Sequence, residues 1–117
     1  MRYLMLILGD EKAWADLPQK EMEAAYAQYG AYDGEIKKTV KVMAGDELEP
    51  TGKACRIRLQ GGKPRVTDGP FTETKEVVGG YYLFDADSRE EAIRIAGKCP
   101  GAEHGTIELY LIKPMTA

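Results

Sequence analysis

A carboxylic acid does proton chemistry at neutral pH only when burial or a neighbouring like charge lifts its pKa. The stretch Thr67-Asp-Gly-Pro-Phe-Thr-Glu-Thr-Lys-Glu76 concentrates residues suited to that task. Asp68 is the leading acid–base candidate, and Glu76 becomes its partner if the loop folds back. Gly69 permits an unusual backbone angle and Pro70 fixes φ at roughly −65°, so the pair makes a stiff bend. That bend presents the Asp68 carboxylate on one side and the Phe71 ring on the other. The plainer reading is an Asp68 side chain bonded to its own backbone while Phe71 plugs the edge of a core. Lys75 either steadies an anionic substrate or, with Glu73 and Glu76, is a solvated loop charge. His104 is the single histidine of the chain, the one side chain whose ordinary pKa lies near neutrality. It either joins Asp68 in a dyad or sits at a strand end bonded to backbone. Tyr26, Tyr29 and Tyr32 recur at helical spacing; they are mainly core, with Tyr26 and Tyr29 able to place hydroxyls in a pocket between helix and sheet.

Other chemistry finds little support. There is no phosphate-binding loop, dinucleotide fingerprint, zinc spacing or nucleophile elbow, so no cofactor and no metal are expected. Asp85-Ala-Asp87 lacks the central glycine and later acidic ligand of a calcium loop and serves better in front of a helix. Cys55 and Cys99 form no Cys-x-x-Cys pair, so free thiols and a cytoplasmic setting are expected. Arg56, Arg58, Lys63 and Arg65 make one hairpin basic, fit either to greet a phosphate or an acidic protein or to serve as a solvated edge. With 16 Lys and Arg against 19 Asp and Glu, the net charge of −3 argues against nucleic acid. No apolar run is long enough to span a membrane.

The elements that position these residues follow from periodicity. Residues 2–8 are almost continuously apolar, as a strand covered on both faces would be. After a turn carrying Trp14, Asp16 is placed to cap a helix over residues 19–38, with Pro18 in its first turn. A short strand at 39–43 and a polar loop at 44–50 come next. Residues 54–59 alternate strictly, with Cys55, Ile57 and Leu59 on one face and Arg56 and Arg58 on the other. Gly61-Gly62 predicts a two-residue hairpin turn, and residues 63–67 return. After the Asp-Gly-Pro-Phe bend, Gly79-Gly80 leads into a strand at 81–84. Ser88 and Glu91 form a capping box for a helix to about residue 98, with Ala92, Ile93, Ala96 and Cys99 on its buried face. Pro100-Gly101 ends that helix, and residues 106–112 form the last strand. The frame is βαββαβ with an inserted hairpin, the ferredoxin-like α+β sandwich. A single domain spans residues 1–113, followed by a short tail at 114–117. The sheet face away from the helices is too apolar for water, since Tyr81 and Phe84 join the first and last strands there. A second copy packed sheet to sheet would cover it, so a homodimer is expected.

The 67–76 block, followed by Gly79-Gly-Tyr-Tyr-Leu-Phe-Asp85, resembles the signature of the DGPF-type YCII-related proteins. The opening Tyr3-Leu-Met-Leu-Ile-Leu-Gly-Asp10 with Trp14, and the closing His104-Gly-Thr-Ile-Glu108, are similar to that family as well. The resemblance implies a dimeric α+β barrel. It also implies a small-molecule ligand beside the bend, because some YCII relatives are dehydrochlorinases or resemble lactone isomerases with a His-Asp pair there. Asp68 matches the motif aspartate. The family's histidine on the first helix has no counterpart here, where Tyr26, Tyr29 and Asp33 stand instead, and His104 is the remaining candidate. Neighbouring sigma-factor genes in that family suggest a regulatory partner. Three functions therefore stand open: a cofactor-independent acid–base enzyme performing elimination or isomerisation, a binding or sensing module without turnover, and an interaction protein linked to extracytoplasmic-function sigma factors.

Overall fold

The computed structural model describes residues 1–71 and 73–115; Thr72 of the motif block and the last two residues of the expected tail lie outside the described residues. Strand β1 (Arg2–Gly9) leads into a short helix α1 (Glu11–Ala15) and the long helix α2 (Gln19–Thr39). Then follow β2 (Lys41–Glu47), a 3-10 turn (Thr51–Lys53), and the hairpin of β3 (Cys55–Gln60) and β4 (Lys63–Asp68). The chain closes with β5 (Val77–Asp85), α3 (Arg89–Gly97), a one-turn helix α4 (Gly101–His104) and β6 (Thr106–Leu111). The main sheet runs β2-β5-β1-β6, antiparallel throughout, while β3 and β4 make a separate two-stranded sheet. With that hairpin set aside, this is the ferredoxin-like α+β order.

The core lies between the helices and one face of the sheet. Tyr3 and Met5 of β1 and Tyr82 and Phe84 of β5 meet Tyr32 and Ile36 of α2 and Ala92, Ile95 and Ala96 of α3. Met5 and Phe84 are fully buried, each contributing about 1.5–3 kcal/mol by leaving water. The Tyr32 hydroxyl donates to the Ile95 carbonyl at 2.7 Å, so a buried polar tip is satisfied while its ring packs. Strand alternation sends Leu4, Leu6 and Leu8 to the opposite face, where Leu4 lies beside Leu83 and Tyr110, and Leu6 beside Tyr81.

Several local expectations are corrected. Asp16 does not cap α2; it closes α1, because Asp10 nucleates that helix by accepting from the Lys12 and Ala13 N–H groups. The α2 helix starts directly after Pro18 without a side-chain cap. β2 begins at Lys41 and continues through Glu47, across residues read as loop, because β5 lies alongside to pair with them. β5 takes in Gly79 and Gly80. Phe84 faces the helices, stacked on Tyr3 at 6.1 Å, and not the bare side of the sheet. In α3 the buried isoleucine is Ile95; Ile93 is exposed, since Ala92, Ile95, Ala96 and Cys99 already complete the inward stripe. His104 ends α4 and does not enter the last strand.

The hairpin stands away from this body. Every residue of β3 and β4 is exposed. The radius of gyration is 16.3 Å, against about 13 Å for a compact chain of this length. Gly61 and Gly62 have φ of 57° and 77°, the positive pair that a two-residue hairpin turn requires.

Candidate functional site

The foot of the hairpin is held by backbone. The Gly69 N–H donates to the Ala54 carbonyl at 2.9 Å, and a methyl group on Gly69 would lie 1.8 Å from the Thr51 carbonyl oxygen. Only glycine admits that approach; the Gly69–Pro70 peptide that follows is cis. Thr51 is latched to α1, its N–H and hydroxyl both donating to the Glu11 carboxylate. These bonds hold the Glu11 carboxyl below its ordinary pKa, with the hydroxyl contributing most.

Asp68 ends β4 directly opposite Cys55. It is exposed, and no hydrogen bond or ion pair joins it to His104 or Glu76 among the described residues. Glu76 is half-buried and accepts from the Thr106 hydroxyl at 2.9 Å. His104 projects into solvent, 88% exposed, 3.8 Å from Glu103. Glu76, Thr106 and the Glu11–Thr51 latch all lie at the end of β1 marked by Leu8 and Gly9, since Val77 pairs with Gly9 and Thr106 with Leu8. The candidate acid–base residues are thus gathered at one end of the sheet without touching. The reason is that Asp68 belongs to the projecting hairpin, an arm apart from the main sheet, whereas Glu76 is drawn to β6. Lys75 is exposed and makes no ion pair among the described residues.

Phe71 is half-buried and acts as a platform: the Arg56 guanidinium carbon stands 3.8 Å over its ring centroid. The same guanidinium bonds Glu73 at 2.5 Å and keeps that carboxyl below its ordinary pKa. Cation–π stacking and a charge-assisted bond together fix one arginine at the edge of the hairpin's polar face. Across that face the register sets Arg56 opposite Thr67, Arg58 opposite Arg65 and Gln60 opposite Lys63. Arg56, Arg58, Gln60, Arg65 and Thr67 line an open cleft of about 360 Å³. Arg58, Lys63 and Arg65 have no ion-pair partner among the described residues. The Arg58–Arg65 pairing could have been found in the sequence, because each residue lies three positions from its side of Gly61-Gly62.

The helix tyrosines do not make the expected pocket. Tyr26 is exposed on the outer side, its hydroxyl donating to Glu47 and its ring edge-on to Trp14 at 5.4 Å. Tyr29 fills the space between α2 and the α3–α4 junction, where burial and then the nearby Cys99 thiol push its pKa up. Burial likewise raises Cys99 and takes Tyr82 to about 12, with Asp33 next in effect on Tyr82. This cluster of weak acids stays protonated at neutral pH and packs. The cavity between α2 and α3, near Ile36 and Ile95, is only about 50 Å³. Among the described residues no group of three His, Cys, Asp or Glu could hold a metal ion, and no helix is long and apolar enough to cross a membrane.

Sequence comparison settles the family. The model of the YCII-related domain matches residues 1–116. The chain belongs to the YCII-related family. Within this YCII-related chain's curated relatives, an uncharacterised protein of Rhizobium meliloti (strain 1021) is 31% identical over 115 residues, covering 98% of this chain and 92% of that protein. The bend, the Arg56–Phe71 platform and the latched foot are therefore features of a YCII-related domain.

Proposed function

We propose that this YCII-related protein is a binding module for a small molecule with two or more anionic groups, phosphoryl or carboxyl, taken up by the basic cleft of the hairpin. The carrying observation is the direct opposition of Arg58 and Arg65. Like charges facing each other across a strand pair are destabilising, and a bridging anion reverses the sign of that interaction. Guanidinium groups suit the task because each offers a planar fork to an oxyanion. Arg56, already held by Phe71 and Glu73, would form the fixed edge of the site. No cofactor is called for by this reading.

Acid–base turnover by Asp68, with His104 or Glu76, is the second reading, favoured by their gathering at one end of the sheet. Both readings take the protein as a homodimer paired through the bare face that carries Leu4, Leu6 and Leu83.

Thermal-shift titration with pyrophosphate and with citrate tests the proposal on wild type, on Arg58→Gln/Arg65→Gln and on Asp68→Ala. At 100 times its Kd a ligand stabilises by about 2.7 kcal/mol. The expected result is a shift in wild type and Asp68→Ala that disappears in the double arginine variant. A shift that survives loss of both arginines overturns the cleft. A shift that needs Asp68 instead moves the site to the bend and supports the acid–base reading.

A further inference from the structure

Arginines line three positions of the cleft, and the chain itself has placed an anion on one of them. Arg58 and Arg65 face each other on one rung of the hairpin, with Arg56 and Thr67 on the next rung toward the foot. Two residues along a strand separate these rungs by about 7 Å, and all four side chains line the cleft. Among the described residues Arg58 and Arg65 make no ion pair, whereas Arg56 Nη1 bonds Glu73 Oε1 at 2.5 Å. That bond is single: among the described residues no other side-chain nitrogen of Arg56 has a hydrogen-bond partner. A guanidinium can offer a carboxylate or phosphoryl group two parallel bonds, so Glu73 uses Arg56 only in part. Both side chains are more than half exposed, 53% and 63%, and exposed pairs hold weakly. The Phe71 ring, 3.8 Å from the guanidinium carbon, gives Arg56 a support that does not depend on Glu73.

We infer that Glu73 stands where a third anionic group of the ligand binds, and that the ligand is a chain of three phosphoryl groups whose last group displaces it. The inference rests on the anion cleft and extends it by one subsite. Two phosphoryl groups bridge Arg58 and Arg65. A linear phosphate chain continues from there along the strand, and its third group meets the Arg56 rung, where the Thr67 hydroxyl is a further donor. The exchange favours the phosphoryl group on two counts. It carries more charge than a carboxylate, and it accepts two bonds from the guanidinium fork in place of one. A ligand of two phosphoryl groups reaches only the free nitrogens of Arg56, with Glu73 still in place. Glu73 is thereby a specificity residue. It screens Arg56 from separate small anions and yields to a chain already anchored on the neighbouring rung, whose third group is held there at high effective concentration. No bond of the ligand is made or broken in the exchange.

Isothermal titration at one salt concentration, without divalent cations, tests this with pyrophosphate, tripolyphosphate and adenosine triphosphate. The proteins are wild type, Glu73→Gln, Arg56→Gln, the double variant Arg56→Gln/Glu73→Gln, and Arg58→Gln/Arg65→Gln. All substituted positions are exposed, and far-UV spectra check that the fold is kept. Removing the competing carboxylate should tighten tripolyphosphate by about three- to fivefold, the upper range for an exposed ion pair, while pyrophosphate changes little. Without Arg56 the Glu73 substitution should have no effect, since the competition needs both partners. Adenosine triphosphate separates the two sources of such a chain. Affinity above that of tripolyphosphate, with the same Glu73 effect, indicates a nucleoside triphosphate; equal or lower affinity indicates the inorganic chain, and both support the exchange. An equal gain for pyrophosphate and tripolyphosphate, or a gain that persists without Arg56, makes Glu73 a general negative charge and overturns the exchange. Unchanged or weaker tripolyphosphate binding in Glu73→Gln overturns it as well. These results leave the cleft standing as long as pyrophosphate binding still needs Arg58 and Arg65. Phosphates that bind Arg58→Gln/Arg65→Gln as tightly as wild type, or that bind neither wild type nor Glu73→Gln, overturn the cleft and the exchange together.

Discussion

Gly69→Ala tests whether the foot of the hairpin is built on a backbone contact. The new methyl carbon would sit 1.8 Å from the Thr51 carbonyl oxygen, 2.8 Å from its carbon and 3.4 Å from the Ala54 oxygen. A carbon and an oxygen rest at roughly 3.3 Å or more, so the bend and the 3-10 turn must separate by about 1.5 Å. That displacement breaks the 2.9 Å bond from Gly69 N–H to Ala54, worth about 0.5–1.5 kcal/mol. It also strains the Thr51 bonds to the Glu11 carboxylate, which as bonds to a charged group are worth about 1.5–3 kcal/mol. The combined cost of about 2–4 kcal/mol falls on the hairpin, because the core between sheet and helices shares none of these atoms. Hydrogen exchange followed amide by amide is the assay. Protection across β3 and β4 should collapse in the variant while amides of β1 and β5 exchange as in wild type. An arm that stays protected, or a loss spread evenly through β1 and β5, would refute this account of the close approach.

Three further outcomes are expected. Phe84→Ala empties the centre of the core at a fully buried site and should cost about 3–5 kcal/mol, read by chemical denaturation. Acidification should loosen the arm: the Glu11 carboxyl is depressed below 4.5 in the folded chain, so its contribution is complete above that value and is lost as pH falls through the lower folded pKa. Hydrogen exchange at the foot of the arm should show this acid step in wild type and lack it in Glu11→Gln. Finally, Phe71→Leu should free Arg56 from its platform and weaken anion binding by three- to fivefold at most, since exposed cation–π contacts are worth about 0.5–1 kcal/mol; isothermal titration with pyrophosphate measures it, and unchanged affinity would remove Arg56 from the site.

The βαββαβ frame and the inserted hairpin, with its turn and its facing pattern, are legible from residue order alone. These rest on local rules: alternation in residues 54–59, the Ser88–Glu91 box, and paired glycines that alone tolerate positive φ. The inward stripe of α2 was readable at Tyr29 and Tyr32 but not at Tyr26; the family signature was readable as well. Tertiary structure decided what a residue's neighbours are. Phe84 turned inward because the register with Tyr3 put it there, and β2 grew into residues 44–47 because β5 offered pairing partners. Tyr26 reached outward to Glu47, a residue far along the chain. The Thr67–Glu76 block announced a bend, but three dimensions assigned its parts to different elements: Asp68 to the arm, Phe71 beneath Arg56, Glu76 against Thr106. Spacing along a chain fixes which face of an element a side chain takes; only packing between elements fixes which side chains meet. Chemistry that needs two groups in contact is therefore a tertiary property, even when both groups lie within one short motif.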